Sequence, residues 1–226
     1  MVIKPLFDQI ILKLKETHPR FHFLMELIGQ LPEDNFFISG GVVRDILSGN
    51  NNQIKDIDIF LSSAGFEKIH DFMTENGELV KNQFGSGRWF PDDAPGFYYD
   101  IILIPRFYNG LWPCRNITDV LNQFDITANA VAFDLLTGQF FNPQNGLDDI
   151  KNKILRAVRF DFPELLVSDD VDISRITVLW FRYLYYAGKL NFDIEPITRK
   201  WLDDNAFRLN ELEKFKYHFF DPQLAL

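Results

Sequence analysis

The sequence predicts an α+β fold, a mixed β-sheet with flanking helices followed by an all-α segment. Three observations predict it. A strand, a Gly-Gly turn, a helix and a second strand run through Phe37-Ile-Ser-Gly-Gly-Val-Val-Arg-Asp-Ile-Leu47 and Lys55-Asp-Ile-Asp-Ile-Phe-Leu61. Segments rich in branched and aromatic residues, bounded by turn residues, return over 78–104 and 131–141. From residue 145 onward the apolar spacing becomes helical.

Taken in chain order, 5–15 and 21–30 repeat apolar positions at helical spacing, with Pro19 between them. Strand 36–39 leads to a helix over 42–48 that stops at Gly49, then a polar loop, Asn50–Gln53. Strand 56–62 precedes a helix over 64–75 ending near Asn76-Gly77. Strands are expected at Glu78–Asn82, Arg88–Phe90 and Phe97–Ile104, with turns at Gly85-Ser-Gly87 and Pro91–Gly96. Residues 105–128 read as loop and short helix, and Val131–Asp134 with Gln139–Phe141 as a hairpin turning at Leu135–Gly138. Long helices are expected near 171–188 and 196–215. Three regions follow: N-terminal helices over 1–34 packed on the domain after them, a sheet-containing domain over 35–155, and a helical domain over 156–226.

At 226 residues and 46% hydrophobic, with 24 Phe, the chain can bury a substantial core. It contains no run of about 18 apolar residues and shows no signal-peptide pattern, so a cytoplasmic protein without a membrane partner is expected. Cys114 is the lone cysteine, which excludes an intrachain disulfide or a thiolate metal site. The net charge of −9 is unevenly placed: 151–226 carries 12 basic and 12 acidic residues, leaving 11 basic against 20 acidic in 1–150. There is no basic stripe of the kind that grips a long nucleic acid.

Asp56 and Asp58 stand two apart on a strand, so they share one face while Ile57, Ile59 and Leu61 take the other. At ~3.3 Å per residue they lie about 6.6 Å apart along the chain. Converging like charges cost on the order of several kcal/mol at an effective dielectric near 20, and a divalent cation turns that cost into a ligand set. Gly40 and Gly41 let backbone N–H groups approach a polyphosphate at a helix N-terminus. Alone, either feature is commonplace; in one unit they are the minimal equipment for nucleotidyl transfer.

Other residues carry two readings each. Arg44 either reaches a phosphate or pairs with a neighbour, and Asp45 either fixes that arginine or complements the helix start. Asp100 shares a strand face with Ile102 and Ile104, so it is either a third metal carboxylate or a solvated acid at a strand edge. On the first reading Asp100→Asn relieves repulsion and slightly stabilises the metal-free protein. Asp125 and Asn129, four apart, either cap a turn or shape a nucleotide pocket. Asp172 and Arg175 form either a surface ion pair worth about 0.3–0.5 kcal/mol or a reader of a nucleobase edge.

Together these residues resemble the poly(A) polymerase and CCA-adding tRNA nucleotidyltransferase family (class II), within the polymerase-β-like nucleotidyltransferases. The family's first motif, Gly-Gly-x-Val-Arg-Asp followed by Asp-x-Asp, matches Gly40, Gly41, Val43, Arg44, Asp45, Asp56 and Asp58. Its Arg-Arg-Asp-Phe-Thr-x-Asn-Ala motif matches at Asp125, Thr127, Asn129 and Ala130, with Gln123 and Phe124 where the arginines belong. Phe141-Asn-Pro-Gln-Asn-Gly-Leu-Asp-Asp-Ile150, Arg182-Tyr183 and Leu190-Asn-Phe192 are similar to later signatures, and Asp172-x-x-Arg175 to the base-selecting one, one residue out of step.

The resemblance covers roughly 35–210 and implies a nucleotidyltransferase head and a helical neck. It implies that Asp56 and Asp58 are catalytic and hold two Mg²⁺ ions, with Asp100 read beside them as a third catalytic carboxylate, either a metal ligand or a base near the acceptor hydroxyl. It also implies that Ser39, Gly40, Gly41, Arg44, Asp45, Asp125, Asn129, Asp172, Arg175 and Arg182 bind an NTP, ATP and/or CTP. The implied reaction moves NMP onto an acceptor hydroxyl, most plainly an RNA 3′ end as in tRNA processing. Alternatives are a small-molecule or protein acceptor, or an inactive nucleotide-binding module. Intact Asp56 and Asp58 count against the last.

Overall fold

A computed structural model describes residues 4–18, 20–49, 54, 56–81, 86–92, 94–107 and 111–224. The expected loop Asn50–Gln53, Pro19, the last residue of the expected strand, Asn82, and Gly85 and Asp93 of the expected turns lie outside the described residues.

The chain opens with α1 (Lys4–Thr17) and α2 (Phe21–Gly29), which bury Ile10 and Leu14, and Phe21, Leu24 and Ile28, respectively. The spacings of three and four within these sets are one helix face turned to the core. Next come β1 (Phe36–Ser39), α3 (Gly41–Ser48), β2 (Asp56–Leu61), α4 (Ser63–Glu75), β3 (Gly77–Lys81), β4 (Gly87–Pro91) and β5 (Tyr98–Leu103). A short α5 (Ile117–Leu121) and the strands β6 (Ala132–Asp134) and β7 (Phe140–Phe141) complete the sheet. Its order is β3-β4-β5-β2-β1-β6-β7. Among the described residues of this sheet, β2 and β5 pair in parallel and the other neighbouring pairs are antiparallel. A parallel pair needs a long crossover, here made of α4, β3 and β4. Ser62 caps α4 by accepting from the Gly65 amide at 2.9 Å. The indole of buried Trp89 donates to Met73 O at 2.8 Å, tying β4 to that helix.

Strand alternation sorts the core into two clusters. Phe36, Ile38, Ile57, Ile59 and Leu61 face the larger one, where α1, α2 and α3 pack. Phe37, Phe60 and Ile104 face the smaller one, with Ile117, Val120 and Leu121 of α5. Because side chains two apart share a face, Asp56 and Asp58 lie on the same face as Phe60. Thus α5 covers the apolar end of that face, and the carboxylates stand at the other end.

The remainder contains α6 (Gly146–Asn152), β8 (Ile154–Leu155), β9 (Leu166–Ser168), β10 (Val171–Ser174), α7 (Arg175–Leu190), β11 (Asp193–Ile194), α8 (Pro196–Asp204) and α9 (Leu212–His218). The helix expected near 171–188 begins at Arg175, because 166–174 forms the β9–β10 hairpin, with Ser168 opposite Val171. Ser174 makes the boundary: its hydroxyl accepts from the Thr177 amide at 3.2 Å, an N-cap. The helix expected over 196–215 breaks at Asn205, whose side chain donates to Trp201 O at 2.9 Å. A 3₁₀ stretch, Ala206–Glu211, then leads into α9. The C-terminal third is therefore mainly helical with a small hairpin inserted.

Candidate active site

The carboxylates meet through strand register. On one side of β2, Asp58 pairs with Ser39 of β1; on the other it pairs with Asp100 of β5. Residues paired this way point to the same face, so Asp56, Asp58 and Asp100 share it. Gly40 follows Ser39 at φ 84°, and a Cβ there would lie 2.7 Å from Asp58 Oδ2. Only glycine fits that approach and that φ. At Gly41, a Cβ would come within 3.3 Å of the Arg44 guanidinium, which folds back over the turn.

Crowding leaves an electrostatic mark. Burial first, then Asp56 and Asp100, push the Asp58 carboxyl from 3.8 up to about 8. Asp56, at the exposed end of β2, is raised in the same direction by partial loss of water around its carboxyl and then by Asp100. Asp100 has a dedicated partner: Arg88, directly opposite on β4, donates from Nε to Oδ1 and from its terminal nitrogen to Oδ2, both at 2.8 Å. The Arg88 guanidinium lies over the Tyr98 ring, 4.0 Å from its centroid. The three carboxylates expected as metal ligands share a face but form no ready cage. Among the described residues no three His, Cys, Asp or Glu side chains are placed to hold a metal. The oxygen-donor pair Asp56 and Asp58, with the proton affinity of Asp58 raised by burial and then by its acidic neighbours, nonetheless fits a hard divalent cation.

Beside the carboxylates runs a polar network. Arg44, 2% exposed, donates to Asp45 Oδ1 at 2.7 Å and to Asn129 Oδ1 at 2.6 Å. Asn129 donates to Asp125 Oδ1 at 2.8 Å, and Arg182 donates twice to Asp125 Oδ2, at 3.0 and 2.7 Å. Burial, the largest influence on Asp125, raises its carboxyl, but Arg182 and the hydrogen bonds from Arg182, Asn129 and Ile126 together hold it below 3.8. Tyr186 closes the network: Arg44 and Arg182 lie 5.0 and 5.1 Å from its ring centroid, and Arg182 reaches its hydroxyl at 3.3 Å.

Several sequence-derived candidates have local partners. The Gly40 N–H donates to Asn129 O at 3.2 Å, so the unpaired donors of this helix start begin at Gly41. Ser39 donates to Val131 O at 2.9 Å. Asp172 sits on β10, exposed, paired with Lys214 and His218 of α9 at 3.1 and 3.0 Å. Arg175 opens α7 and donates to Val167 O at 3.4 Å. The structure does not bring these two to the Asp125–Arg182 cluster, which begins two helical turns further along α7. Gln123 and Phe124, where arginines were expected, are packing residues. Gln123 donates to Trp112 O at 2.7 Å, and the Phe124 ring meets those of Phe60 and Phe107.

Arg88 and Tyr186 were missed from sequence. Tyr186 lies four residues after Arg182, a helical spacing that pairs side chains. Arg88 carried no local signal, because only the β4–β5 register sets it against Asp100.

Known structures share this architecture. A Thermotoga maritima CCA-adding enzyme complexed with tRNA superposes with a TM-score of 0.66 at 22% identity, covering 98% of this chain and 52% of that one. A tRNA nucleotidyltransferase complexed with a primer tRNA and an incoming ATP analog gives 0.61 at 24% identity, over 83% and 52%. These likenesses show the fold: a mixed-sheet α+β head with flanking helices and a following helical part, as in CCA-adding enzymes. The chain itself belongs to the Gabija anti-defense 2 (Gad2) family, whose model matches residues 6–153.

In sequence, a CCA-adding enzyme of Streptococcus uberis is 30% identical over 210 residues, which is 89% of this chain and 48% of that protein. A multifunctional CCA protein of Acinetobacter baumannii is 28% identical over 177 residues, 75% and 39% respectively. The chain thus spans about half the length, or less, of these relatives. No helix among the described residues is long and apolar enough to cross a membrane.

Proposed function

We propose that this chain is a metal-dependent nucleotidyltransferase that moves NMP from an NTP, ATP or CTP, to an acceptor hydroxyl. The observation that carries it is the Ser39–Asp58–Asp100 register with Gly40 against Asp58, which sets a carboxylate pair beside an open helix start. Asp56 and Asp58 are the residues that would hold Mg²⁺, two ions in the full reaction. When bound, Mg²⁺ supplies Lewis-acid stabilisation of charge on the phosphate being transferred.

The protein's own groups do the rest. The amides from Gly41 onward and the Arg182 guanidinium hold the triphosphate, Arg44 keeping its place through Asp45 and Asn129. Asp125 and Asn129 shape the nucleotide pocket by fixing both arginines. The acceptor oxygen attacks the α-phosphorus as the bond to the bridging oxygen breaks. Pyrophosphate leaves, and the hydroxyl proton passes to a carboxylate of this cluster or to water.

An RNA 3′ end in the cytoplasm is the first acceptor, since the relatives matching most of this chain are CCA-adding enzymes. The Gad2 family match favours a second reading, a protein acceptor belonging to a defence system. The test is incubation with Mg²⁺ and each α-labelled NTP, with total tRNA or with cellular protein, for wild type and Asp58→Asn. Label in RNA supports the first acceptor and label in protein the second. Absence of label from every NTP and acceptor overturns the reaction itself.

A further inference from the structure

We propose that Arg88 is a built-in cation that withholds Asp100 from the metal site, so that the chain offers a divalent ion two carboxylates rather than three. The inference rests on the metal-dependent reading above and names the residue that regulates that site.

Asp100 lies where a third ligand belongs, paired with Asp58 in the parallel β2–β5 register. Both of its oxygens nevertheless accept from one guanidinium, each at 2.8 Å. A planar fork on a carboxylate is the strongest geometry a side chain offers it, and arginine stays charged throughout the accessible pH range. Asp100 is only 8% exposed, so water competes weakly for it. The opposite face of the fork is also supported, since the guanidinium stands over Tyr98, itself paired with Asp56 in the register. Asp56 and Asp58 have no such fork: across the β2–β5 register Asp56 meets Tyr98, and Asp58 meets Asp100. The Arg88 fork is thereby committed to the β5 carboxylate, while Asp56 and Asp58 on β2 feel Arg88 only at a distance. To ligate an ion, Asp100 must first exchange two charge-assisted hydrogen bonds for it, whereas Asp56 and Asp58 give up none of that kind to Arg88.

The experiment titrates the EDTA-stripped full chain with Mn²⁺ and follows free Mn²⁺ by electron paramagnetic resonance. Arg88→Gln is expected to tighten binding by about tenfold or more. Asp100→Asn alone strands the guanidinium beside the pair and is expected to leave affinity equal or lower, and the double variant to return to about the wild-type value. Arg88→Lys keeps the charge and loses the fork, so it gives a smaller gain in the same direction and serves should Arg88→Gln fail to fold. The proposal is overturned if Arg88→Gln fails to tighten Mn²⁺ binding, because the guanidinium would then not be what holds Asp100 back. It is equally overturned if the gain survives in the double variant, because removal of charge would then explain it. Asp58→Asn tests the underlying reading separately: undiminished Mn²⁺ binding in that variant removes the metal site, whatever Arg88 does.

Discussion

At the scale of single residues, Asp58 concentrates the strain of the site. Its carboxyl ionises near 3.8 when unfolded and near 8 in the folded, metal-free protein. Between those values the folded state holds the extra proton, so stability falls as pH rises through that window. The melting temperature of the EDTA-treated protein is therefore expected to drop from pH 5 to pH 8, and to drop less in Asp58→Asn. A variant curve parallel to wild type would show that Asp58 does not carry the repulsion. With Mg²⁺ and NTP, the same variant should fold normally by circular dichroism and lose transfer by orders of magnitude.

Asp100 behaves differently from the sequence expectation. A slight stabilisation of the metal-free protein on Asp100→Asn follows from repulsion alone. The bidentate bond to Arg88 outweighs it, because the variant leaves a half-buried guanidinium without its carboxylate. The expected outcome is a loss of about 1–3 kcal/mol in urea unfolding, with the slope unchanged. A gain in stability would show that the pair is too solvated to matter.

At the scale of elements, α7 does the joining. Its residues Arg182 and Tyr186 reach across to Asp125 and Arg44, so the helix after the sheet completes the polar wall of the site. Tyr186→Phe keeps the ring beneath both guanidiniums and should change NTP affinity little. Tyr186→Ala removes it and should weaken NTP binding by about tenfold, equivalent to the ~1.4 kcal/mol that two cation–π contacts can supply. Calorimetric titration with ATP and CTP reads this directly; equal affinities in the two variants would exclude the ring as a support. The hairpin before α7 gives the contrasting case. Asp172 is engaged by α9, so Asp172→Ala is expected to leave the order of preference among ATP, CTP, GTP and UTP as in wild type. A changed order would restore it as a base reader.

At the scale of the whole molecule, charge governs the acceptor. The net −9 lies wholly in 1–150, the same region that holds the carboxylates. Neutralising many phosphates gives a steep fall of affinity with salt, about 0.9 per phosphate on logarithmic axes for duplex DNA and less for single strands. Binding of this chain to tRNA is expected to be weak with a slope of about 2 or less, measured by filter binding across a KCl series. A steep slope would reveal a basic surface assembled from the neutral C-terminal third.

What the sequence determined by itself was everything carried by short-range geometry. Alternation put Asp56 and Asp58 on one face of β2, a Gly-Gly turn opened α3, and helical spacing located α1, α2 and α4. These depend on residues a few positions apart, and the backbone period alone orients them. The same local logic failed where a long-range partner competed. The hairpin over 166–174 and the break at Asn205 interrupt patterns that read as continuous helix, because caps and strand pairing there outweigh weak propensity. Only the tertiary structure decided which charges meet. Arg88 reaches Asp100 through the β4–β5 register, and Arg182 reaches Asp125 from 57 residues away. Those pairings are fixed by how sheet and helix pack, and local spacing encodes no trace of them.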